Sequence, residues 1–265
     1  MIGLCLKKYI CINKLFFLRK CRIIFDMIRT IVSVTYVVVS MIFLLPFGAL
    51  SLLLNLLGLR KLTRLAVYRI AQAWALAIVK ISGCKITVTG RENIPKNGGV
   101  CFVSNHCGYF DIVLLLAYCG RPIGFIAKKE LGYVPFFNIW IFMIGGLFID
   151  RGVLRKAIRT INKGVQRIKS GGGMIIFPEG HRSKGRGLLP FHPGSLKLAT
   201  SAGAPIVPVA IEGSYEVLEK TWRVKSVPVK LIFCEPIETA ALPPEEKKQI
   251  LSDRIYSIIK EKLES

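Results

Sequence analysis

The sequence predicts an α/β fold, with a mainly parallel central sheet of about seven strands flanked by helices and an N-terminal membrane-inserted helical segment. Two observations predict it. From residue 62 onward, short apolar runs alternate with longer segments of helical periodicity, which is typical of a sheet covered on both faces. Before that point, residues 30–59 contain no charged side chain. We therefore divide the chain into a membrane segment, residues 1–61, and a folded domain, residues 62–265.

The elements of the folded domain follow from periodicity and turn signals. Strands are predicted at residues 85–89, 100–104, 123–127, 146–150, 174–177, 206–211 and 227–233. Helices are predicted at residues 62–81, 112–118, 153–169, 195–202 and 245–263. Because active sites in such sheets gather at the carboxyl ends of the strands, polar clusters that follow these strands are the candidate site.

The composition favours an anionic, lipid-like partner. The chain has 265 residues, of which 52% are hydrophobic and 20% charged, so it is more apolar than a typical soluble domain. Lys and Arg number 38 against 16 Asp and Glu, a net charge of +22, which attracts nucleic acid, acidic headgroups or phosphorylated substrates. The sequence carries no helix-turn-helix, zinc-finger or RNA-binding motif, so we expect a membrane surface and no nucleic acid.

The N-terminal segment has two parts. Residues 1–29 interleave seven basic residues with apolar ones and carry one acid, Asp26, which suits an anionic membrane surface. The pattern of a signal peptide, a short basic region before one apolar block and a cleavage site, is absent from this sequence. As one helix, residues 30–59 would be about 45 Å long, which exceeds a hydrocarbon core of roughly 30 Å.

Pro46-Phe47-Gly48 interrupts this apolar stretch and leaves its arrangement open. One alternative is two shorter helices that meet at the break and form a hairpin in one leaflet. Another is a buried core hairpin of a soluble protein, although 18 or more uncharged apolar residues usually indicate lipid. Basic residues flank both sides, so charge asymmetry gives only a weak topology signal.

The eight cysteines form no C-x-x-C pair and no small disulfide framework. Several lie inside apolar runs, where a cysteine behaves as a small hydrophobic residue. We therefore expect reduced thiols in a cytoplasmic domain.

The first polar cluster, residues 105–111, directly follows a predicted strand. His106 has a side chain that can act as a base near neutral pH. Asp111, five residues later at a predicted helix start, can orient the imidazole and stabilise its charged form. The alternative interpretation of this spacing is an ordinary turn with a helix N-cap.

Three more clusters follow later strands. Asp150-Arg151 ends a strand and forms either a surface salt bridge or, through Arg151, a contact to an anionic headgroup. Residues 177–183 supply a carboxylate, a flexible amide and a guanidinium in one turn, or form an ordinary polar loop. Residues 171–173 lack the Lys-Ser/Thr of a phosphate loop and are interpreted as a helix stop. Pro208 is expected at a sheet edge or an opening, where it could shape an apolar slot, or it could simply start the strand.

Four sequence blocks occur in the order Asn-His-x4-Asp, Phe-Ile-Asp-Arg, Phe-Pro-Glu-Gly-x-Arg-Ser and Val-Pro-Val. Together they resemble the glycerolipid acyltransferase family, most closely the bacterial 1-acyl-sn-glycerol-3-phosphate acyltransferases. Residues 90–95, 128–131 with Pro135, and 189–194 match it as well, so the resemblance covers about residues 85–215. Two departures stand out. Cys107-Gly108 replaces the usual Gln-Ser or Arg-Ser, and His181 stands where Thr is common.

The resemblance implies that His106 deprotonates an acceptor hydroxyl, which attacks an acyl thioester, and that Asp111 orients His106. It implies a substrate-binding set consisting of Lys129, Arg151, Glu179, Gly180, Arg182, Ser183 and Pro208. Arg182 and Arg151 would bind the phosphate, and Pro208 would help form the acyl-donor region. We also considered a backbone amide of the third block as an oxyanion donor.

The resemblance further implies the partners and the location. The acceptor would be lysophosphatidic acid, acylated at its sn-2 hydroxyl to form phosphatidic acid in phospholipid biosynthesis. The donor would be acyl-CoA or acyl carrier protein, with no cofactor, metal or covalent acyl-enzyme. The protein would sit in the bacterial inner membrane, with the catalytic domain on the cytoplasmic side.

Three alternatives remain at this point. The same fold could act on glycerol 3-phosphate, another lysophospholipid or a lyso-aminolipid. Cys107 could be a nucleophile that forms an acyl-cysteine, although adjacent side chains tend to diverge, which makes His106 a poor base for it. The chain could also be a non-catalytic protein that binds anionic lipid.

Overall fold

The computed structural model describes residues 2–192, 194–243, 245 and 250–264, with side chains from residue 20 onward except at residues 60 and 61. The strands are β1 (Lys85–Thr89), β2 (Val100–Ser104), β3 (Ile123–Lys128), β4 (Leu147–Ile149), β5 (Gly173–Ile176), β6 (Ile206–Glu212) and β7 (Pro228–Phe233). The α-helices are α1 (Ile2–Phe43), α2 (Leu45–Leu56), α3 (Arg60–Ser82), α4 (Phe110–Tyr118), α5 (Phe137–Met143), α6 (Leu154–Lys169), α7 (Lys197–Ala202), α8 (Ser214–Val217) and α9 (Leu251–Glu264). Two short 3-10 helices span Arg91–Asn93 and Lys129–Tyr133.

The predicted fold class is confirmed. The seven strands form one sheet in the order β1-β7-β6-β2-β5-β3-β4, and every neighbouring pair is parallel except β6 and β7. The sequence did not predict the short helices α5 and α8. Of the helix predicted at 245–263, residues 246–249 lie outside the described residues, and α9 accounts for the part that follows.

β2 is the central strand, and its side chains enter two separate cores. Val100 and Phe102 pack in a cluster with α3 and α4 on one face of the sheet. Cys101 and Val103 pack in a second cluster with α6, α7 and α9 on the other face. A strand that is buried on both faces reads as a continuous apolar run, which is what the sequence shows here. The loop that leaves β2 therefore starts from a rigid position.

The apolar stretch is interrupted at Leu44, near Pro46, but does not reverse there. Leu44 connects α1 to α2 with a right-handed helical backbone, and Pro46 occupies the first turn of α2. The chain reverses at Gly58, whose φ is +87°, and α3 then returns along both preceding helices. Trp74 on α3 donates a hydrogen bond to Ser40 on α1 at 2.8 Å. The two helices that meet at the break are thus one arm of a hairpin, and α3 is the other.

Among the residues that the structure describes, two helical stretches are long and apolar enough to cross a membrane, Lys20–Phe43 and Leu62–Ser82. The second packs on α4 and belongs to the core of the domain. The first is only 11% buried, so its apolar side chains need another partner. A lipid partner for this surface agrees with membrane association. The boundary at residue 61 stays a prediction.

Candidate active site

The loop between β2 and α4 brings His106 and Asp111 together. His106 Nδ1 lies 2.7 Å from Asp111 Oδ2. Asp111 is fully buried at the start of α4, whereas the imidazole retains some exposure. With Nδ1–H donated to the carboxylate, Nε2 keeps its lone pair and is free to accept a proton from a reactant.

Asp111 is held by three further donors. Its Oδ2 also accepts the backbone N–H groups of Cys107 at 2.7 Å and Gly108 at 3.0 Å. Its Oδ1 accepts the hydroxyl of Ser214, a buried residue at the start of α8. Sequence reasoning missed Ser214, which is 103 residues away along the chain. Four donors fix the carboxylate in one orientation, and the carboxylate in turn fixes the imidazole.

The imidazole is also held from the side. The ring of Phe177, the residue that follows β5, stacks on His106 with 4.0 Å between centroids and an 18° interplanar angle. Asn105 anchors the loop to β6, because its side chain exchanges two hydrogen bonds of 2.8 Å with the backbone of Ile211. The His106 ring thus has a fixed plane and a fixed hydrogen-bond partner.

Glu179 joins its own loop to the His106 loop instead of facing open space. Its Oε1 accepts the backbone N–H of His106 at 2.6 Å, and its Oε2 accepts that of Leu189 at 3.1 Å. The residue is 1% exposed. Burial raises the pKa of this carboxyl to about 7, although the two backbone donors oppose the shift. Because both oxygens are engaged, the geometry supports a role in positioning His106; direct contact with an acceptor stays a prediction.

The block after β5 also pairs with the His106 loop through its backbone. Ser183 N–H donates to the His106 carbonyl at 2.7 Å, and Lys184 N–H donates to that of Cys107 at 3.2 Å. Ser183 itself is buried. The sequence indicated two separate polar clusters, at residues 105–111 and 177–183, and the structure joins them into one.

Arg182 lies beside the His106 loop and has two partners. Its Nη1 forms an ion pair with Glu219, and its guanidinium lies 3.7 Å above the ring centre of Tyr109. Glu219, only 8% exposed, also accepts the Tyr109 backbone N–H at 2.5 Å. Sequence reasoning missed Glu219, because it lies outside all four blocks and nothing in its neighbourhood marks it.

Arg151 is exposed beyond the end of β4 and reaches the block after β5. Its Nη1 donates to the Gly180 carbonyl at 2.8 Å. Gly180 has a φ of +73°, and a Cβ at this position would lie 2.6 Å from Arg151 Nη1 and 2.7 Å from His192. The positive φ therefore favours glycine here, and a larger residue would also have to displace the end of the Arg151 side chain.

Asp150 does not pair with the adjacent Arg151. Its Oδ1 binds Lys129 Nζ at 3.0 Å and accepts the Gly152 N–H at 3.1 Å. The hydrogen bond from Lys129 to Asp150 raises the pKa of Lys129 and lowers the pKa of Asp150. The ion pair links the ends of β3 and β4 at the carboxyl edge, and the predicted substrate contact of Lys129 stays untested.

Pro208 is not at an edge or an opening, so that expectation is wrong. It is buried in β6, a central strand, opposite Val103 of β2. Its carbonyl accepts the Cys234 N–H at 2.9 Å, on the side of β7. In a β-strand, the N–H and C=O groups of one residue point to the same side. The side on which Pro208 lacks an N–H donor therefore faces the end of β7, and the backbone hydrogen bonds between β6 and β2 are all retained.

Cys107 is a poor nucleophile in this position. Its Sγ donates to the carbonyl of Ile211 at 3.4 Å. Burial raises the pKa of the thiol to about 12, and the nearby Asp111 and Glu179 carboxylates raise it further. Because the thiolate is the reactive form, the alternative of an acyl-cysteine loses its physical basis.

Among the residues that the structure describes, no three His, Cys, Asp or Glu side chains gather in a way that could hold a metal ion. The expectation that no cofactor is needed stays a prediction.

Comparisons with known proteins identify the family. A family model described as Acyltransferase matches residues 85–212. The 1-acyl-sn-glycerol-3-phosphate acyltransferase of Borreliella burgdorferi is 32% identical over 193 residues, 71% of this chain and 77% of that protein. This chain belongs to the glycerolipid acyltransferase family. The enzyme of the same name from Escherichia coli K12 is 35% identical over 135 residues, which cover 51% of this chain and only 55% of that relative.

The likeness to other members of the family extends to the whole fold. The crystal structure of the 1-acyl-sn-glycerophosphate (LPA) acyltransferase PlsC from Thermotoga maritima has a TM-score of 0.77 and 29% sequence identity. The match covers 92% of this chain and 96% of that chain. The first three family blocks meet at the carboxyl edge of the sheet, whereas the fourth lies within it.

Proposed function

We propose that this chain is a membrane-bound 1-acyl-sn-glycerol-3-phosphate acyltransferase, which transfers a fatty acyl group to the sn-2 hydroxyl of lysophosphatidic acid and forms phosphatidic acid. One observation carries the proposal: His106 bonded to a buried Asp111 at 2.7 Å, in a chain of this family. The donor is acyl-CoA or acyl carrier protein, whose thioester supplies the acyl group.

The chemistry follows from the free nitrogen of His106. Nε2 takes the proton of the acceptor hydroxyl while the hydroxyl oxygen attacks the thioester carbonyl. The tetrahedral intermediate then collapses, the C–S bond breaks, and the imidazolium returns its proton to the departing thiolate. Asp111 remains ionised and stabilises the imidazolium between the two steps.

The developing oxyanion needs a hydrogen-bond donor near His106. In the third block, the Gly180 N–H already donates to the Phe177 carbonyl at 3.1 Å. The Gly180 amide is therefore committed to the turn itself.

The acceptor phosphate is attracted by Arg182 and Arg151. Arg151 extends from the end of β4 toward Gly180, and Arg182 lies beside the His106 loop. A guanidinium presents five donors in a planar fork that matches a phosphate. The net charge of +22 adds a long-range attraction for anionic substrates and anionic lipid.

An apolar surface orients the domain on the bilayer. Residues 131–142 expose seven large apolar side chains, including Tyr133 at 80% and Phe142 at 59%. This segment is continuous with the membrane helices, because Trp140 Nε1 donates to the Met41 carbonyl at 3.4 Å. It also follows Lys129, at the carboxyl edge that holds the site. With this edge at the lipid surface, a lysolipid reaches His106 without leaving the membrane.

The location that this supports is the bacterial inner membrane, with the catalytic domain on the cytoplasmic side, where thioester donors occur. The described cysteines are free thiols, which suits a reducing compartment.

An acceptor panel tests the proposal. The purified full chain in detergent micelles receives one acyl-CoA with lysophosphatidic acid, glycerol 3-phosphate, lysophosphatidylcholine or a lyso-aminolipid, and mass spectrometry identifies the products. We expect phosphatidic acid as the dominant product, formed at least about a hundredfold more slowly by His106→Ala. Preferential acylation of another acceptor would reject the substrate, and lipid binding without acylation of any acceptor would reject the enzyme.

A further inference from the structure

Glu219 is a buried carboxylate that none of the four family blocks contains. It follows α8, yet it lies under the loop that carries His106. One oxygen accepts the Tyr109 backbone N–H at 2.5 Å, and the other forms the ion pair with Arg182. Burying a carboxylate is costly unless it is paired, so the two contacts account for its presence there.

Gly108 is coupled to this carboxylate. A Cβ at position 108 would lie 2.5 Å from Glu219 Oε2 and 3.2 Å from the backbone of Tyr215. Gly108 has no left-handed backbone that would itself require glycine. The departure from the family pattern at this position is therefore explained by the space that Glu219 needs.

The same contacts fix Arg182. Glu219 holds one terminal nitrogen, and the Tyr109 ring supports the plane of the guanidinium at 3.7 Å. Arg182 is a flexible side chain, and two partners restrict it before any ligand arrives. The donors that Glu219 does not use remain for an oxyanion on the accessible side.

We infer that Glu219 is a positioning residue for the acceptor phosphate: it orients Arg182 toward the phosphate, and Gly108 makes room for it. This inference rests on the proposed function, because it assigns the phosphate of lysophosphatidic acid to Arg182. It predicts that loss of Glu219 weakens acceptor binding and leaves the His106 chemistry in place.

Glu219→Gln tests the inference by kinetics. Glutamine keeps the size and one oxygen for the Tyr109 N–H, but it offers no anion to Arg182. We expect the KM for lysophosphatidic acid to rise about tenfold, the loss of one charge-assisted contact, with kcat within about threefold of wild type. The KM for acyl-CoA should stay within about twofold.

Glu216→Gln is the matched control. Glu216 lies one turn earlier and forms an exposed ion pair with Lys220 at 2.5 Å, away from Arg182. Its removal changes the net charge by the same amount, so it should leave both KM values unchanged.

A second pair of variants tests the coupling. Arg182→Gln leaves a buried, unpaired Glu219 next to the phosphate, which repels it. Adding Glu219→Gln removes that charge, and we expect the double variant to have at least about threefold higher kcat/KM for lysophosphatidic acid than Arg182→Gln alone.

Two results would overturn the inference while the proposed function stands. They are a fall in kcat with an unchanged KM for lysophosphatidic acid in Glu219→Gln, and additive losses in the double variant. Either would show that Glu219 only supports the loop. A wild-type protein that never acylates lysophosphatidic acid would instead reject the proposed function, and this inference with it.

Discussion

The loop after β2 and the loop after β5 lie side by side and each buries a carboxylate, but the two carboxylates have different partners. Asp111 accepts one hydrogen bond from the reactive side chain, His106, and three from its surroundings. Glu179 accepts only backbone N–H groups, from His106 and Leu189. The first carboxylate therefore acts on the imidazole, and the second acts on the path of the chain.

This difference teaches that burial alone does not identify a catalytic carboxylate. Burial raises the pKa of Glu179 to about 7, yet this carboxyl bonds no reactive side chain. The partner that a buried carboxylate contacts is the better guide to its role.

The strongest test of the comparison is removal of the reactive side chain. His106→Ala should lower kcat by at least about a hundredfold, because no other base is bonded to Asp111. Cys107→Ala should keep activity within about twofold, since its thiol is protonated and buried. Both are measured with acyl-CoA and lysophosphatidic acid, with thermal unfolding as a folding control. If Cys107→Ala were the inactive variant, the assignment of the base would be wrong.

Ser214 sharpens the comparison from the side of Asp111. Ser214→Ala removes one of the four donors to this carboxylate and should lower kcat about tenfold with an unchanged KM, because the imidazole is less firmly oriented. Ser214→Thr keeps the hydroxyl and should recover most of the activity. Equal losses in both variants would show that the site needs the small side chain and not the hydrogen bond.

Glu179 should reveal itself through the pH dependence of stability. Its folded pKa, about 7, lies above the ordinary value of 4.5, so the folded protein binds this proton more tightly than the unfolded chain does. The stabilisation is fully present below about pH 4.5 and is lost as the pH rises through about 7.

Glu179→Gln cannot ionise and does not suffer this loss. The Tm of the variant minus that of wild type should therefore increase between pH 5 and pH 8, when both are measured by thermal unfolding in detergent. Glu216→Gln, an exposed change, should show a flat difference over the same range. Parallel curves for Glu179→Gln and wild type would contradict a raised pKa at this site.

Much of the fold was readable because the strands are short apolar runs with clear ends. All seven predicted strands occur, each within one residue of its predicted bounds. α5 was missed because its seven residues, Phe137–Met143, include only one polar side chain, Asn138, and give no helical periodicity. Pro208 was misplaced because the sequence does not show on which side of a strand its missing N–H falls.

The site was readable only where its residues share a block. His106 and Asp111 are five residues apart, and a single turn joins them. Ser214 and Glu219 reach the same loop from more than 100 residues away, through the crossing of the chain from β2 to β6. An isolated Ser or Glu carries no pattern, so only the packed structure reveals these partners.

A double-mutant cycle on His106 and Asp111 tests the central claim most directly. kcat is measured for His106→Ala, Asp111→Asn and the double variant with lysophosphatidic acid. Because Asp111 acts through the imidazole, the double variant should be no slower than His106→Ala alone. A double variant slower by the product of the two single losses would show that the carboxylate acts independently, and it would contradict the proposed mechanism.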